Sequence, residues 1–150
     1  MAGAGRVLLL IGTALGTAVL SAGAANADGP IQLKSRLGDV CLDAPSLIGD
    51  IPVVINPCNG SEFQRWNLNG RQLESAAFPG KCLIKPLDAG NVHIEYCRDA
   101  MTQHWTIQPD GQVTNDVGGC LTVLGGPGPG TRVASRNCNG DPSQGWDRVS

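Results

Sequence analysis

The triplet Gln64-Arg65-Trp66 returns as Gln103-His104-Trp105 and again as Gln144-Gly145-Trp146, and the three copies contain every tryptophan of the 150-residue sequence. The glutamines are 39 residues apart (103 minus 64) and then 41 residues apart (144 minus 103). Self-similarity at a period of this length indicates a fold built from one repeated structural unit. We therefore expect three copies of one unit, each ending near its Gln-x-Trp triplet.

The six cysteines follow the same period, because one pair precedes each triplet. Six cysteines allow 15 pairings, and repeat symmetry favours the pairing in which each copy closes its own loop. Each such loop of roughly 15 to 20 residues would contribute about 3 kcal/mol in the chain-entropy model. Metal binding is the weaker alternative, because no Cys-x-x-Cys spacing occurs and neither histidine lies beside a cysteine cluster. The predicted disulfides are Cys41–Cys58, Cys82–Cys97 and Cys120–Cys138.

Residues 1–27 have the form of a secretory signal peptide. A start that carries Arg6 leads into an apolar run at residues 7–20, and small residues then end in the A-x-A site Ala25-Asn26-Ala27. The apolar run is shorter than the roughly 20 residues of a membrane-spanning helix, so an uncleaved anchor is less favoured. We expect cleavage near Ala27, secretion of a single domain at residues 28–150, and an oxidising environment in which disulfides persist.

The charge of the chain is mild and mixed. It has 11 basic and 13 acidic residues, a formal net charge of −2, and no run of basic residues. Nucleic acid and anionic membrane surfaces both attract clustered Lys and Arg. The composition therefore argues against these two classes of partner.

The rest of the pattern predicts an all-β fold of about twelve short strands. Apolar residues alternate with polar ones in segments such as Val92-x-Ile94-x-Tyr96, which is typical of strands with one buried face. Asn69-Gly70 and Asp110-Gly111 are turn signals that separate repeats of about 28–70, 71–110 and 111–150. Short antiparallel strands in three copies need a closed or capped barrel to protect their edges. The predicted strands are 31–35, 40–43, 52–56, 63–68, 71–76, 81–85, 91–96, 104–107, 112–116, 120–123, 132–136 and 145–149.

Three Cys-Leu-x phrases, three second cysteines and three Gln-x-Trp triplets in phase resemble the ricin B-type lectins, which are β-trefoils. The resemblance covers essentially all of residues 28–150, and the size and leader resemble the secreted single-domain lectins of actinobacteria, mycobacteria included. It implies that the triplets mainly build the fold, with each Trp in the core and each Gln bonded to loop backbone. The implied structural residues are Trp66, Gln103, Trp105, Gln144 and Trp146, together with Gln64.

The resemblance also implies where a sugar would bind. The family places a carboxylate two residues after the first cysteine of a repeat, where it can accept bonds from sugar hydroxyls. This position holds Asp43 in the first repeat but Ile84 in the second and Thr122 in the third. The first repeat is therefore predicted to carry the single sugar site.

The other positions of the family's site depart from the usual pattern in all three repeats. An aromatic residue usually stands two residues before the second cysteine, and an Asn often precedes the Gln of the triplet. The predicted carbohydrate-binding residues of the first repeat are Asp43, Asn56, Phe63 and Gln64, with Asp50 at the rim. The aromatic position holds Asn56, Glu95 and Arg136, and the Asn position holds Phe63, Thr102 and Ser143.

Alternatives remain for these residues and for the function. Asp43 could instead cap a turn through backbone N–H groups, and Phe63 could pack against the core or a loop. His104 is expected to face solvent, and His93 to lie near a pocket rim. The predicted function is glycan or polysaccharide binding without catalysis, cofactor or metal. A trefoil that has lost sugar binding and binds proteins, as an inhibitor or adhesin, is the alternative.

Overall fold

The computed structural model describes residues 29–46 and 52–150. The predicted leader with its cleavage site near Ala27 and the predicted rim residue Asp50 lie outside these described residues. The described chain forms twelve strands and three single turns of 3-10 helix, at Glu62–Gln64, Met101–Gln103 and Pro142–Gln144. The strands are β1 (Gln32–Ser35), β2 (Val40–Asp43), β3 (Val54–Pro57), β4 (Trp66–Asn69), β5 (Gln72–Ser75), β6 (Lys81–Ile84), β7 (His93–Tyr96), β8 (Trp105–Ile107), β9 (Val113–Asn115), β10 (Cys120–Val123), β11 (Thr131–Arg136) and β12 (Trp146–Val149).

The prediction of an all-β fold with twelve short strands is confirmed. Strand alternation places every second side chain inside, as in β1, where Leu33 and Ser35 are buried between partly exposed neighbours. The predicted strand 63–68 is wrong at its start. Residues Glu62–Gln64 form a 3-10 turn, and the strand begins at Trp66. The turn bends the chain so that the Gln side chain enters the interior before the strand starts.

Six strands form a closed barrel. Antiparallel pairs join β1 to β12, β4 to β5 and β8 to β9, so each pair links one repeat to the next. Within each repeat the ring is closed by the backbone N–H of the triplet's tryptophan. These N–H groups donate to the carbonyls of Ile31 (2.8 Å), Arg71 (2.8 Å) and Gly111 (2.9 Å). The barrel therefore has no free strand edge among its six members.

The other six strands form three hairpins that cap one end of the barrel. They are β2–β3, β6–β7 and β10–β11, and β3 also pairs with β11. Their inner ends meet through buried valines, because Val53 N–H donates to the Val92 carbonyl and Val92 N–H donates to the Val133 carbonyl. The resulting sheets have the orders β12-β1-β2-β3-β11-β10-β9-β8 and β4-β5-β6-β7. This arrangement of barrel and cap is a β-trefoil.

The three tryptophans fill the interior. Trp66, Trp105 and Trp146 are at most 3% exposed. Each indole N–H donates to the carbonyl of the leucine that follows the first cysteine of its repeat, at 2.9–3.2 Å. Burying an aromatic ring of this size removes about 150 Å² or more from water, which stabilises the fold by about 4 kcal/mol. The indole bonds also tie each barrel strand to the hairpin above it.

The three predicted disulfides are confirmed. Cys41–Cys58, Cys82–Cys97 and Cys120–Cys138 join residues 17, 15 and 18 positions apart, and no free cysteine occurs in the described chain. Each bridge links the two strands of one hairpin near its base. Loops of this length contribute about 3 kcal/mol each in the chain-entropy model.

One arginine holds the first and last repeats together. Arg36 donates to the Asp110 carbonyl (2.7 Å) and to Asp147 Oδ1 (3.0 and 3.2 Å). Its side chain lies against the α-carbons of Gly111 and Gly145, where an added Cβ would stand 2.5 and 2.7 Å from Arg36 atoms. This explains why the third triplet has glycine in its middle position. We call this contact of Arg36 with Asp110, Gly111, Gly145 and Asp147 the Arg36 latch.

Within the two described ranges, no helix has the length and apolar character needed to cross a membrane.

Candidate functional site

The triplet glutamines hold the backbone around the second cysteine of each repeat. Gln64 accepts a hydrogen bond from Asn59 N–H (2.9 Å) and donates to the Pro57 carbonyl (2.9 Å). Gln103 and Gln144 repeat both bonds at the equivalent positions, and all three side chains are buried. The geometry agrees with a structural role for these glutamines. In this arrangement, each of these glutamines keeps one side-chain amide hydrogen that can be donated to the neighbouring hairpin.

Asp43 lies at the end of β2 and is 5% exposed. Its Oδ2 accepts hydrogen bonds from Asn56 Nδ2 (3.2 Å) and Gln64 Nε2 (3.1 Å). Its other oxygen, Oδ1, is buried and has no hydrogen-bond partner. The described donors are side-chain amides rather than the backbone N–H groups of a turn, so the turn-capping alternative gains no support. Three of the four predicted site residues thus form one network.

Asn56 is itself held in a fixed orientation. Gly130 N–H, from the loop of the third repeat's hairpin, is shared between the Ile55 carbonyl (2.8 Å) and Asn56 Oδ1 (3.0 Å). The amide nitrogen of Asn56 must then face Asp43, because the two ends of an amide have opposite hydrogen-bonding character. The hydrogen-bond network around Asp43 is therefore built across two repeats.

The unpartnered oxygen of Asp43 defines what the site can do. A buried polar atom without a partner costs about 1–3 kcal/mol, and more when it is charged. A hydroxyl donor from a ligand would remove that cost and form a charge-assisted bond. The network therefore suits a neutral ligand with hydroxyl groups better than an anion.

Phe63 is next to this network but does not enter the core. Its side chain is 43% exposed, and its carbonyl accepts a bond from Ala44 N–H (3.0 Å), directly after Asp43. Its ring contacts the ring of Phe78, with centroids 5.8 Å apart and planes tilted by 55°. Sequence reasoning did not find Phe78, because that residue belongs to the second repeat and matches no position of the family's site. The expectation that Phe63 packs against a loop and the expectation that it faces a ligand are both compatible with this geometry.

The corresponding positions of the other repeats are filled by internal contacts. Ile84 is 4% exposed and offers no hydrogen-bonding atom. Thr122 is 8% exposed, and its hydroxyl donates to the Cys120 carbonyl (2.7 Å) and accepts from Gln144 Nε2 (3.2 Å). Neither position leaves a buried acceptor unpaired.

In the second repeat an ionic network occupies the outer face of β7. Glu95 contacts His93 Nε2 (2.7 Å) and accepts a bond from Arg98 (3.3 Å). The hydrogen bond with His93 lowers the pKa of Glu95 below its usual value; burial opposes this effect, and Arg98 reinforces it. Glu95 is thus held by His93 and Arg98 at the position where the family usually places its aromatic residue.

His104 does not face solvent freely, so that expectation was wrong. Its side chain is 20% exposed and lies between Asp99 (2.8 Å) and Asp116 (3.4 Å). Arg71 forms an ion pair with the same Asp116. The middle residue of the second triplet therefore joins the second and third repeats. No group of three or more His, Cys, Asp or Glu side chains within residues 29–46 and 52–150 is arranged to hold a metal ion.

The sequence matches the profile of the ricin-type β-trefoil lectin domain over residues 29–146. Similar proteins include uncharacterized proteins of Mycobacterium tuberculosis and Mycobacterium bovis, each 57% identical over 149 residues, covering 96% of this chain and 92% of the relative.

Among solved structures, the designed threefold-symmetric protein ThreeFoil superposes with a TM-score of 0.70 at 23% identity, covering 82% of this chain and 99% of ThreeFoil. The β-trefoil lectin of the Vibrio vulnificus hemolysin/cytolysin, with N-acetyl-D-lactosamine bound, gives a TM-score of 0.66 at 22% identity, covering 83% and 96% of the two chains. The C-half of an earthworm R-type lectin, in complex with GalNAc, gives 0.67 at 12% identity, covering 80% and 97%. These likenesses show a shared fold.

Proposed function

Because the chain belongs to the ricin-type β-trefoil lectin family, we propose that it is a secreted carbohydrate-binding protein with one sugar site, in the first repeat. The site consists of Asp43, Asn56, Phe63 and Gln64. The observation that carries the proposal is the buried oxygen of Asp43, Oδ1, which has no hydrogen-bond partner.

A sugar can satisfy this oxygen better than water-soluble anions or apolar ligands can. Vicinal hydroxyls donate to a carboxylate in charge-assisted bonds, which contribute about 1.5–3 kcal/mol each against about 1 kcal/mol for neutral bonds. Phe63 offers an exposed apolar surface for the C–H face of the sugar ring. Asn56 and Gln64 fix the orientation of the carboxylate from the side opposite the free oxygen.

The equivalent carboxylate positions of the second and third repeats are not proposed as sugar sites. Ile84 and Thr122 replace the carboxylate, and neither leaves an acceptor free. A single site of this kind is expected to bind a monosaccharide at about millimolar strength, near −4 kcal/mol.

The proposed role is binding without catalysis. Among the residues that the structure describes, the Asp43 network contains one carboxylate and two amides, whereas glycoside hydrolysis requires two carboxyl groups that flank the bond. Secretion is supported by the leader-like sequence at residues 1–27 and by three disulfides, which persist outside the reducing cytosol.

The first test is a glycan array on folded, oxidised protein, followed by calorimetry on the glycans that bind. Galactose-type sugars are the first probes, since β-trefoils of similar structure hold N-acetyl-D-lactosamine and GalNAc. Asp43→Ala should reduce binding at least tenfold, because it removes the charge-assisted acceptor. Asp39→Ala is the matched control, since that aspartate is exposed in the first repeat, and it should bind like wild type.

Two outcomes would contradict the proposal. If folded Asp43→Ala binds as tightly as wild type, the sugar site lies elsewhere on the molecule. If wild type binds no glycan, the function is that of a protein-binding trefoil, such as an inhibitor or adhesin.

A further inference from the structure

We propose that Phe78 forms, together with Phe63, an apolar subsite beside Asp43 that binds the second sugar unit of an oligosaccharide. The inference rests on the proposed sugar site and names the class of ligand that the site prefers: a glycan of at least two units rather than a free monosaccharide. The structural basis is the contact of the two phenylalanine rings across the boundary between the first and second repeats.

The backbone fixes Phe78 in place before any ligand binds. Trp66 of β4 pairs with Ser75 of β5, and Ala76 N–H donates to the Arg65 carbonyl at 2.9 Å. Ser75 Oγ then accepts the N–H of Phe78 at 3.2 Å. The loop that carries Phe78 is therefore attached to the first triplet itself and to strand β4, which begins at the triplet's tryptophan.

A tight turn completes this support. Lys81 N–H donates to the Phe78 carbonyl at 3.0 Å, which closes the turn Phe78-Pro79-Gly80-Lys81. Gly80 has φ of +86° at the third position; type II turns, in which proline is common at the second position, require a positive φ there. A ring held in this way loses little conformational entropy when a ligand covers it.

Phe63 lies between Phe78 and Asp43 along the surface. Its carbonyl bonds Ala44 N–H, next to Asp43, and its neighbour Gln64 donates to Asp43 itself. On its other side its ring meets Phe78. Phe63 is 43% exposed and Phe78 is partly exposed. Because Phe63 lies between them, we assign Phe78 to the second unit of a ligand whose first unit lies at Asp43 and Phe63.

The two other repeat boundaries show that the aromatic pair is not a requirement of the fold. The residues that pair with the triplet tryptophans are Ser75, Asn115 and Ser35. The residues whose N–H groups donate to these three side chains are Phe78, Val117 and Leu37. The residue before the triplet glutamine is Phe63, Thr102 and Ser143 in the same order. Two aromatic rings therefore meet only at the boundary beside Asp43.

The test compares methyl β-galactoside with N-acetyllactosamine, which carries the same terminal unit plus a second one, by calorimetry on oxidised protein. Wild type should bind the disaccharide about fivefold more tightly, as expected for one added aromatic contact. Phe78→Ser should remove this gain and leave the monosaccharide affinity unchanged. If the glycan array selects a different oligosaccharide, the calorimetry compares that oligosaccharide with the methyl glycoside of its terminal unit.

Three further variants separate binding from stability. Phe78→Leu retains apolar packing against Phe63 but lacks the aromatic face, so it should also lose the gain for the disaccharide. Tyr96→Ser removes an exposed aromatic from the second repeat and should bind both sugars like wild type. Asp43→Ala should lose both sugars.

A direct contact can be measured even where a variant is less stable. In saturation-transfer NMR, the C–H protons of the second sugar unit should receive saturation from wild type, and this transfer should fall in Phe78→Ser. Unchanged disaccharide affinity in Phe78→Ser, or an equal loss for both sugars, would overturn the subsite and leave the Asp43 site standing. Absence of binding to every glycan would overturn both.

Discussion

Asp43 and Thr122 occupy equivalent positions, and Gln64 and Gln144 donate to them in the same way. The two side chains differ in what they leave unsatisfied. The Thr122 hydroxyl donates one bond and accepts another, whereas Asp43 keeps a buried oxygen without a donor. The unpaired oxygen of Asp43 thus lowers the stability of the first repeat, and the third repeat has no such cost in free energy. The most direct explanation is a ligand that donates a hydrogen bond to this oxygen.

Asp43→Thr should therefore stabilise the free protein while it removes sugar binding. The variant keeps an acceptor for Gln64 and eliminates a buried charge, so the free energy of unfolding should rise by about 1 kcal/mol. Urea unfolding at neutral pH measures the change.

The reciprocal variant Thr122→Asp is the control for this comparison. It places a carboxylate in the third repeat and should lower the free energy of unfolding by about 1–3 kcal/mol. A lower stability of Asp43→Thr would mean that the carboxylate is already compensated in the free protein.

The sequence could indicate Asp43 because its distance from the first cysteine is fixed by the strand that holds both residues. It could not indicate Phe78, because contacts between repeats depend on how the barrel closes. The environment of His104 was mispredicted for the same reason, since Asp116 belongs to the next repeat. Residue patterns within one repeat are thus easier to interpret than contacts between repeats.

Among the elements, strand β7 differs from its counterparts through its ionic network. The carboxylate of Glu95 has a lowered pKa, chiefly because of its hydrogen bond with His93 and with help from Arg98. A carboxyl group whose folded-state pKa is depressed stabilises the fold above its unfolded-state pKa. That contribution is lost as the pH falls through the folded-state value.

Glu95→Gln should therefore be less stable than wild type at neutral pH, and the difference should vanish in acid, below the usual pKa of a glutamate. Urea unfolding of both proteins between about pH 7 and about pH 3 measures this. Glu62→Gln removes an exposed carboxylate of the first repeat and serves as the control. A difference between wild type and Glu95→Gln that persists unchanged in acid would show that the ionised form of Glu95 is not the stabilising one.

The strands themselves were predictable because short segments alternate and turns separate them. The start of β4 was not predictable, because the residues before it show no hydrophobic pattern that would distinguish a 3-10 turn from a strand. The turn Glu62–Gln64 is defined by backbone bonds such as Arg65 N–H to the Glu62 carbonyl. Local propensity alone does not specify such a turn.

At the scale of the whole molecule, closure depends on contacts between the first and last repeats. Strand β1 pairs with β12 along its full length, and the Arg36 latch adds a side-chain connection from the first repeat to both the second and the third. Closure of this kind makes the three repeats one cooperative unit.

Arg36→Ala should lower the free energy of unfolding by about 1–2 kcal/mol, because it removes a charged donor to the Asp110 carbonyl and the packing over two glycines. The comparison variant is Lys34→Ala, which removes an exposed ion pair with Asp39 and should change stability by less than about 0.5 kcal/mol. Thermal unfolding of the two variants beside wild type measures both effects. Equal effects of the two substitutions would show that the latch contributes no more than a surface ion pair.

The threefold architecture followed from the sequence because the Gln-x-Trp period and the cysteine period agree. The Arg36 latch could not be predicted in this way, because Arg36 has no counterpart in the other two repeats and so gives no periodic signal. Symmetric features of this fold are therefore predictable from internal comparison, while the features that make the repeats unequal are visible only in three dimensions.

The position of the disulfides determines what a protease can release from the molecule. Each bridge spans the base of one hairpin, so each hairpin loop lies between two bonded cysteines. Every residue of the loop at 124–130 is exposed, and exposed loops are where proteases cut first. A single cleavage there leaves the two fragments covalently joined across Cys120–Cys138. Cleavage of one peptide bond in this loop therefore releases no fragment.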